Sequence, residues 1–69
     1  MFAVSDAAVA GFAAHAALHS ALLNVRINVK NLPNDDWTQQ TMEQVEQLLS
    51  AGDALQAQVQ EITDSILQA

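Results

Sequence analysis

Hydrophobic positions in the second half of the chain recur at alternating spacings of three and four: Val45, Leu48, Leu55, Val59, Ile62 and Ile66, with Gly52 in the one missing seat. Met42, Leu49 and Leu67 widen this stripe, and Gln, Glu and Asp fill the opposite face. Three heptads of that kind predict a helix over about 36–68 with a coiled-coil-like seam. Ser50-Ala51-Gly52-Asp53 offers an alternative, a break at 51–53 with Asp53 capping a new helix. The stripe keeps its phase across Gly52, which favours one continuous helix in which the glycine lets a neighbour come close.

The first half reads as a helix over about 4–30. Val9, Phe12, Ala16, Leu23 and Ile27 form one apolar stripe, and Leu18, Leu22, Val25 and Val29 form a second beside it. Two stripes mean two neighbours. One is the second helix of the same chain, and the other is expected to come from a second chain.

Between the helices, Asn31-Leu32-Pro33-Asn34-Asp35-Asp36 punctuates the chain. Proline disfavours helix in the residue before it and lacks a donor N–H, so the first helix should stop near residue 30. Asn34, Asp35 and Asp36 are all good N-caps for the second helix, and with Asp36 as the cap Gln39 falls three residues on, as in a capping box. A short loop over 31–35 between two long helices predicts an all-α fold, a two-helix antiparallel hairpin. Pairing of two such hairpins into a dimeric four-helix bundle would cover the remaining stripes.

Composition sharpens this expectation. A chain of 69 residues makes at most one small domain, with a core that rarely supplies more than about 3–5 kcal/mol. There is no cysteine, so neither disulfides nor thiolate metal sites can support it, and association is the remaining common support. A homodimer follows as the expected state, with Phe12, Leu22, Leu23, Val45, Leu48, Leu55, Val59, Ile62 and Ile66 at the interface. The net charge of −6, with Arg26 and Lys30 as the two cations, argues against nucleic acid and against anionic membranes as partners. Ala7–Val25 lacks a formal charge, but its alanines, His15, His19 and Asn24 make a weak membrane span. No basic region opens the chain as a signal peptide requires. A soluble, cytoplasmic protein is expected.

Candidate chemistry is sparse. His15 and His19, spaced i, i+4, project from one face of a helix, a spacing that can supply two nitrogen ligands to a metal. Ordinary hydrogen bonding at the border of a packed face is the favoured reading, which leaves His15 and His19 as weak metal candidates and calls for no metal and no cofactor. His15, His19 and Arg26 form a polar row between the two apolar stripes of the first helix. The row is expected either to meet carboxylates such as Glu43 or Glu46 or to contact a target. Trp37, in the first turn of the second helix, joins His15, His19 and Arg26 as a candidate partner-binding residue. No phosphate loop and no cleft for an oxyanion hole are recognisable. The resulting expectation is a non-enzymatic, acidic protein–protein interaction module that docks on another protein as an inhibitor or anti-activator, or as an adaptor or chaperone. The alternatives are a structural subunit of a larger helical assembly, such as a filament or a secretion or phage complex, and a histidine-based metal-binding bundle.

Overall fold

A computed structural model describes residues 2–68 of the chain. Two helices, α1 (Phe2–Lys30) and α2 (Asp36–Gln68), pack against each other as a hairpin. The molecule measures 52 × 15 × 11 Å, a rod whose length is that of its second helix. α2 runs unbroken through Gly52.

The turn explains both helix ends. At the close of α1 the Asn31 N–H donates to the Asn28 carbonyl (3.2 Å) and the Leu32 N–H to the Val29 carbonyl (3.0 Å). These i→i−3 bonds tighten the last turn and satisfy carbonyls that the helix leaves free. The Asn31 side-chain amide takes another, the Ile27 carbonyl, at 3.2 Å. Lys30 lies in this last turn, at the negative end of the helix dipole.

The cap of α2 is Asp35, one of the three N-cap residues that the sequence offers. Its carboxylate accepts the Thr38 N–H at 2.9 Å, and its own N–H donates to the Thr38 hydroxyl at 2.9 Å. This is a reciprocal capping box with threonine in the third position. The Gln39 N–H then donates to the Asp35 carbonyl at 3.0 Å, which is the first regular helical bond. The Gln39 side chain, which would close a box only with Asp36 as the cap, bonds Asn34 (3.3 Å). A buried threonine reaches the cap where the longer, exposed glutamine does not.

The seam follows a heptad rhythm in both helices. On α1 it takes Ala8, Gly11, His15, Leu18, Leu22, Val25 and Val29, and on α2 Thr38, Met42, Val45, Leu49, Gly52, Gln56, Val59 and Thr63. Ala8, Leu22, Val29, Thr38 and Val45 are buried, Val45 most completely at 3% exposure. The hairpin folds about Pro33 and Asn34, so residues equally distant from that point face each other. Gly11 lies against Val59 and Gln56, and Leu18 occupies the space that a side chain at Gly52 would need. Small residues thus bring the backbones together where the larger aliphatics are absent.

The two stripes of α1 take different positions. Leu18, Leu22, Val25 and Val29 fall in the seam register, with Leu22 and Val29 buried, Leu18 half-buried and Val25 exposed at its margin, whereas Val9, Phe12, Leu23 and Ile27 are exposed outside it. On α2, Val45 and Val59 face α1, while Leu48, Leu55 and Ile62 point away from it, Leu55 at 62% and Ile62 at 60% exposure; Ile66, one heptad beyond Val59, is exposed near the end of the helix. Asp6–Lys30 of α1 has the length and apolar content of a membrane-crossing helix, although very little of it is buried within the hairpin.

A histidine–aspartate cluster across the hairpin

The polar row of α1 meets α2 at one point. Its i, i+4 spacing puts the His15 and His19 rings side by side, 4.5 Å between centroids and edge to face. Across the seam, Asp53 follows directly on Gly52, where Leu18 fills the glycine's empty side-chain space. That close approach lets a side chain as short as aspartate reach both rings. Asp53 Oδ1 lies 2.7 Å from His15 Nε2 and 2.7 Å from His19 Nε2. A carboxylate only accepts, so both Nε2 atoms carry the proton in this arrangement and each Nδ1 is free for another partner.

The hydrogen bond from His15, and then that from His19, hold the Asp53 carboxyl below its ordinary value of 3.8. His15 is half-buried, whereas the His19 and Asp53 side chains are well exposed (45% and 57%). The three donor atoms lie within 4.8 Å of one another, a nitrogen–nitrogen–oxygen set of the kind that can hold a metal ion. The cluster lies on an open edge of the rod and not in a cleft.

The other sequence candidates fall elsewhere. Arg26 continues the row one heptad beyond His19, and a shallow groove lined by His19, Leu23, Arg26 and Leu49 connects them. A larger groove near the turn carries both cations, Arg26 and Lys30, together with Leu32, Met42 and Glu43. Glu43 therefore lies near Arg26, but it is Asp53, not Glu43 or Glu46, that receives the histidines. Trp37 is exposed at the start of α2, with its carbonyl accepting the Thr41 hydroxyl at 2.8 Å. Leu22 and Val45 of the expected interface set are buried within the hairpin and Val59 packs on Gly11, while Phe12, Leu23, Leu48, Leu55, Ile62 and Ile66 are exposed.

Asp53 is the site residue that the sequence pattern hides. As a residue following glycine it reads as a helix cap, and its role across the seam shows only when the hairpin is folded about Pro33 and Asn34. That fold sets His15 opposite residues 52–53.

Comparison with known proteins relates the chain to an enzyme family. The formiminotransferase-cyclodeaminase family profile matches residues 1–47. The methenyltetrahydrofolate cyclohydrolase of Methylorubrum extorquens is 37% identical over 62 residues, covering 90% of this chain and 30% of the relative. The chain thus spans about 30% of the length of the curated relative it matches. No solved structure matches.

These similarities overturn the expectation of a non-enzymatic module of the inhibitor, anti-activator, adaptor or chaperone kind. That expectation rested on acidity and on the lack of a cleft in a two-helix chain. A single hairpin has no cleft even when it belongs to an enzyme, because clefts form between packed layers of secondary structure. By the profile match over more than half of its residues, the chain belongs to the formiminotransferase-cyclodeaminase family.

Proposed function

We propose that this hairpin works as part of a cyclohydrolase-type enzyme that opens the methenyl bridge of a reduced folate with water. The observation that carries the reading is the 37% identity to a methenyltetrahydrofolate cyclohydrolase along 90% of the chain. In the reaction, a water oxygen bonds to the methenyl carbon, one carbon–nitrogen bond breaks, and a formyl group remains on the other nitrogen. The net product beyond the formyl compound is one proton. A site for this chemistry must enclose a flat, partly apolar ring system and admit one water.

The hairpin supplies one wall of such a site. Its polar edge, from His15, His19 and Asp53 to Arg26, faces away from the apolar side carrying Leu48, Leu55 and Ile62. Those three residues lie seven apart and are charge-free, the pattern of a second helix-packing seam. We assign this side to a second copy of the hairpin, which gives a dimeric four-helix bundle, and we assign the assembly to the cytoplasm. Leu55→Asp then lowers the mass measured by light scattering from dimer to monomer. An unchanged mass contradicts the pairing.

The activity is tested by exchange. The matching segment of the Methylorubrum enzyme is replaced by this chain, and hydrolysis of methenyltetrahydrofolate is followed by the loss of its absorbance. A folded chimera that retains activity within about tenfold, or 1.4 kcal/mol of barrier, supports the reading. A chimera that folds with native circular dichroism and native mass but no longer hydrolyses the substrate overturns it.

A further inference from the structure

We infer that His15, His19 and Asp53 form a binding site for one borderline divalent cation of the zinc, cobalt or nickel class. The inference is independent of the enzyme reading, since it rests on the geometry of this chain alone.

Three features converge. Two imidazoles one helical turn apart give a fixed nitrogen pair, because rings at i and i+4 lie one above the other on a single face. The third donor comes from the opposite helix, so the ligands approach from two directions and are not strung along one surface. All three donor atoms already lie within 4.8 Å of one another, and the carboxylate oxygen is 2.7 Å from each ring nitrogen. A tetrahedral ion with bonds of about 2.0–2.1 Å holds its ligand atoms roughly 3.3 Å apart. Binding therefore opens each nitrogen–oxygen pair by roughly 0.6 Å and draws the ring nitrogens, within 4.8 Å of each other, to the same spacing, an adjustment that the exposed Asp53 and His19 side chains are free to make.

The donor set selects the ion. Two nitrogens and one oxygen suit zinc, cobalt and nickel, whereas magnesium and calcium require more oxygen ligands than a single carboxylate offers. Charge favours a cation as well. The chain carries −6 overall, and Arg26 stands one heptad from His19, roughly 10 Å along the helix. On binding, the ion takes the Nε2 lone pairs, and each neutral ring carries its single proton on Nδ1, which the cluster leaves free. The open position of the site faces solvent and is filled by water.

Isothermal titration of untagged, chelator-treated protein with zinc chloride tests the site, with cobalt absorption as a second readout. The expected result is one ion per chain and visible cobalt bands of tetrahedral intensity. His15→Gln, His19→Gln and Asp53→Asn each lose at least about tenfold in affinity while circular dichroism stays helical. Magnesium produces no heat of binding. Absence of saturable zinc binding by the wild-type protein overturns the inference. So does binding that all three variants retain, since scattered surface carboxylates would then be the ligands. Should a variant lose its helical signal, the imidazole resonances of the wild-type protein decide: zinc that leaves the His15 and His19 ring signals unshifted overturns the inference.

Discussion

The half of the hairpin next to the turn and the half far from it are held by different physics. Near the turn, Leu22, Val29 and Val45 are buried, and Thr38 ties the cap to the seam. Beyond Leu22 the seam residues become Leu18, His15, Gly11 and Ala8 on α1, against Gly52, Gln56, Val59 and Thr63 on α2. The near half gains its stability from aliphatic area removed from water, at roughly 25 cal/mol per Å². The far half has little such area to bury. It substitutes close backbone approach at the glycines and a polar cluster, and it leaves the Gln56 amide nitrogen buried without a partner. Stability and chemistry are thus segregated along one seam: the turn-proximal half anchors the pair, and the distal half presents ionisable groups.

The largest expected effect lies in the anchoring half. Leu22→Ala should cost about 2–5 kcal/mol, the range for truncating a buried leucine. Leu18→Ala, at a half-buried position against Gly52, should cost clearly less. Urea denaturation at one fixed protein concentration measures both. Equal losses at the two positions would break the distinction between the halves.

Next comes the cap. Asp35→Ala removes the acceptor for the Thr38 N–H and should cost about 1 kcal/mol, within the usual 0.5–2 range. Asp36→Ala should cost less, because Asp36 contributes only its charge near the helix N-terminus. The reverse order in thermal melts would return the cap to Asp36.

The contrast between the halves also explains what could be read before folding. Pro33 with long periodic runs on both sides made the two-helix hairpin legible, since helix breakers and helical periodicity are local signals. Which stripe faces the partner helix was not legible. Ala8, Gly11, His15, Thr38, Gln56 and Thr63 lie on the seam but carry little or no hydrophobic signal, so the eye follows Leu48, Leu55 and Ile62, which point outward. His15 and His19 were recognisable as a pair from their spacing. Their carboxylate was not, because a contact between positions 15 and 53 depends on the loop's centre and on close packing at Gly52. The enzyme family was invisible to this reasoning for a different reason: a cleft is a property of assembled layers, and one hairpin does not contain it.

A smaller effect, of opposite sign, is expected in the distal half. Gln56→Leu removes a buried donor with no partner and fills its place with apolar atoms. Because leaving such a group unpaired costs about 1–3 kcal/mol, the substitution should stabilise the hairpin by about 1 kcal/mol. A rise in melting temperature supports the picture of a polar seam that tolerates an unpaired amide. A fall would mean that the amide makes a bond on which the helix pair depends.

The smallest effect is the most diagnostic of the cluster. Hydrogen bonds from His15 and His19 depress the Asp53 carboxyl below its ordinary value of 3.8. A depressed carboxylate stabilises the folded state above the unfolded value, and that contribution disappears as pH falls through the folded one. The wild-type protein, freed of metal by a chelator, should therefore melt above its Asp53→Asn variant at pH 5–6, a neutral amide being a weaker acceptor than a carboxylate. On acidification the difference should shrink below the ordinary aspartate value of 3.8 and vanish once Asp53 itself is protonated in the folded state. Because Asp53 is exposed, water screens the bonds and the gap should be small, a few degrees at most, even though two rings share one oxygen. A gap that is absent at pH 5–6, or that grows as pH falls, would mean that the three side chains do not hold together in solution. The distal half would then be a loosely packed end with no cluster.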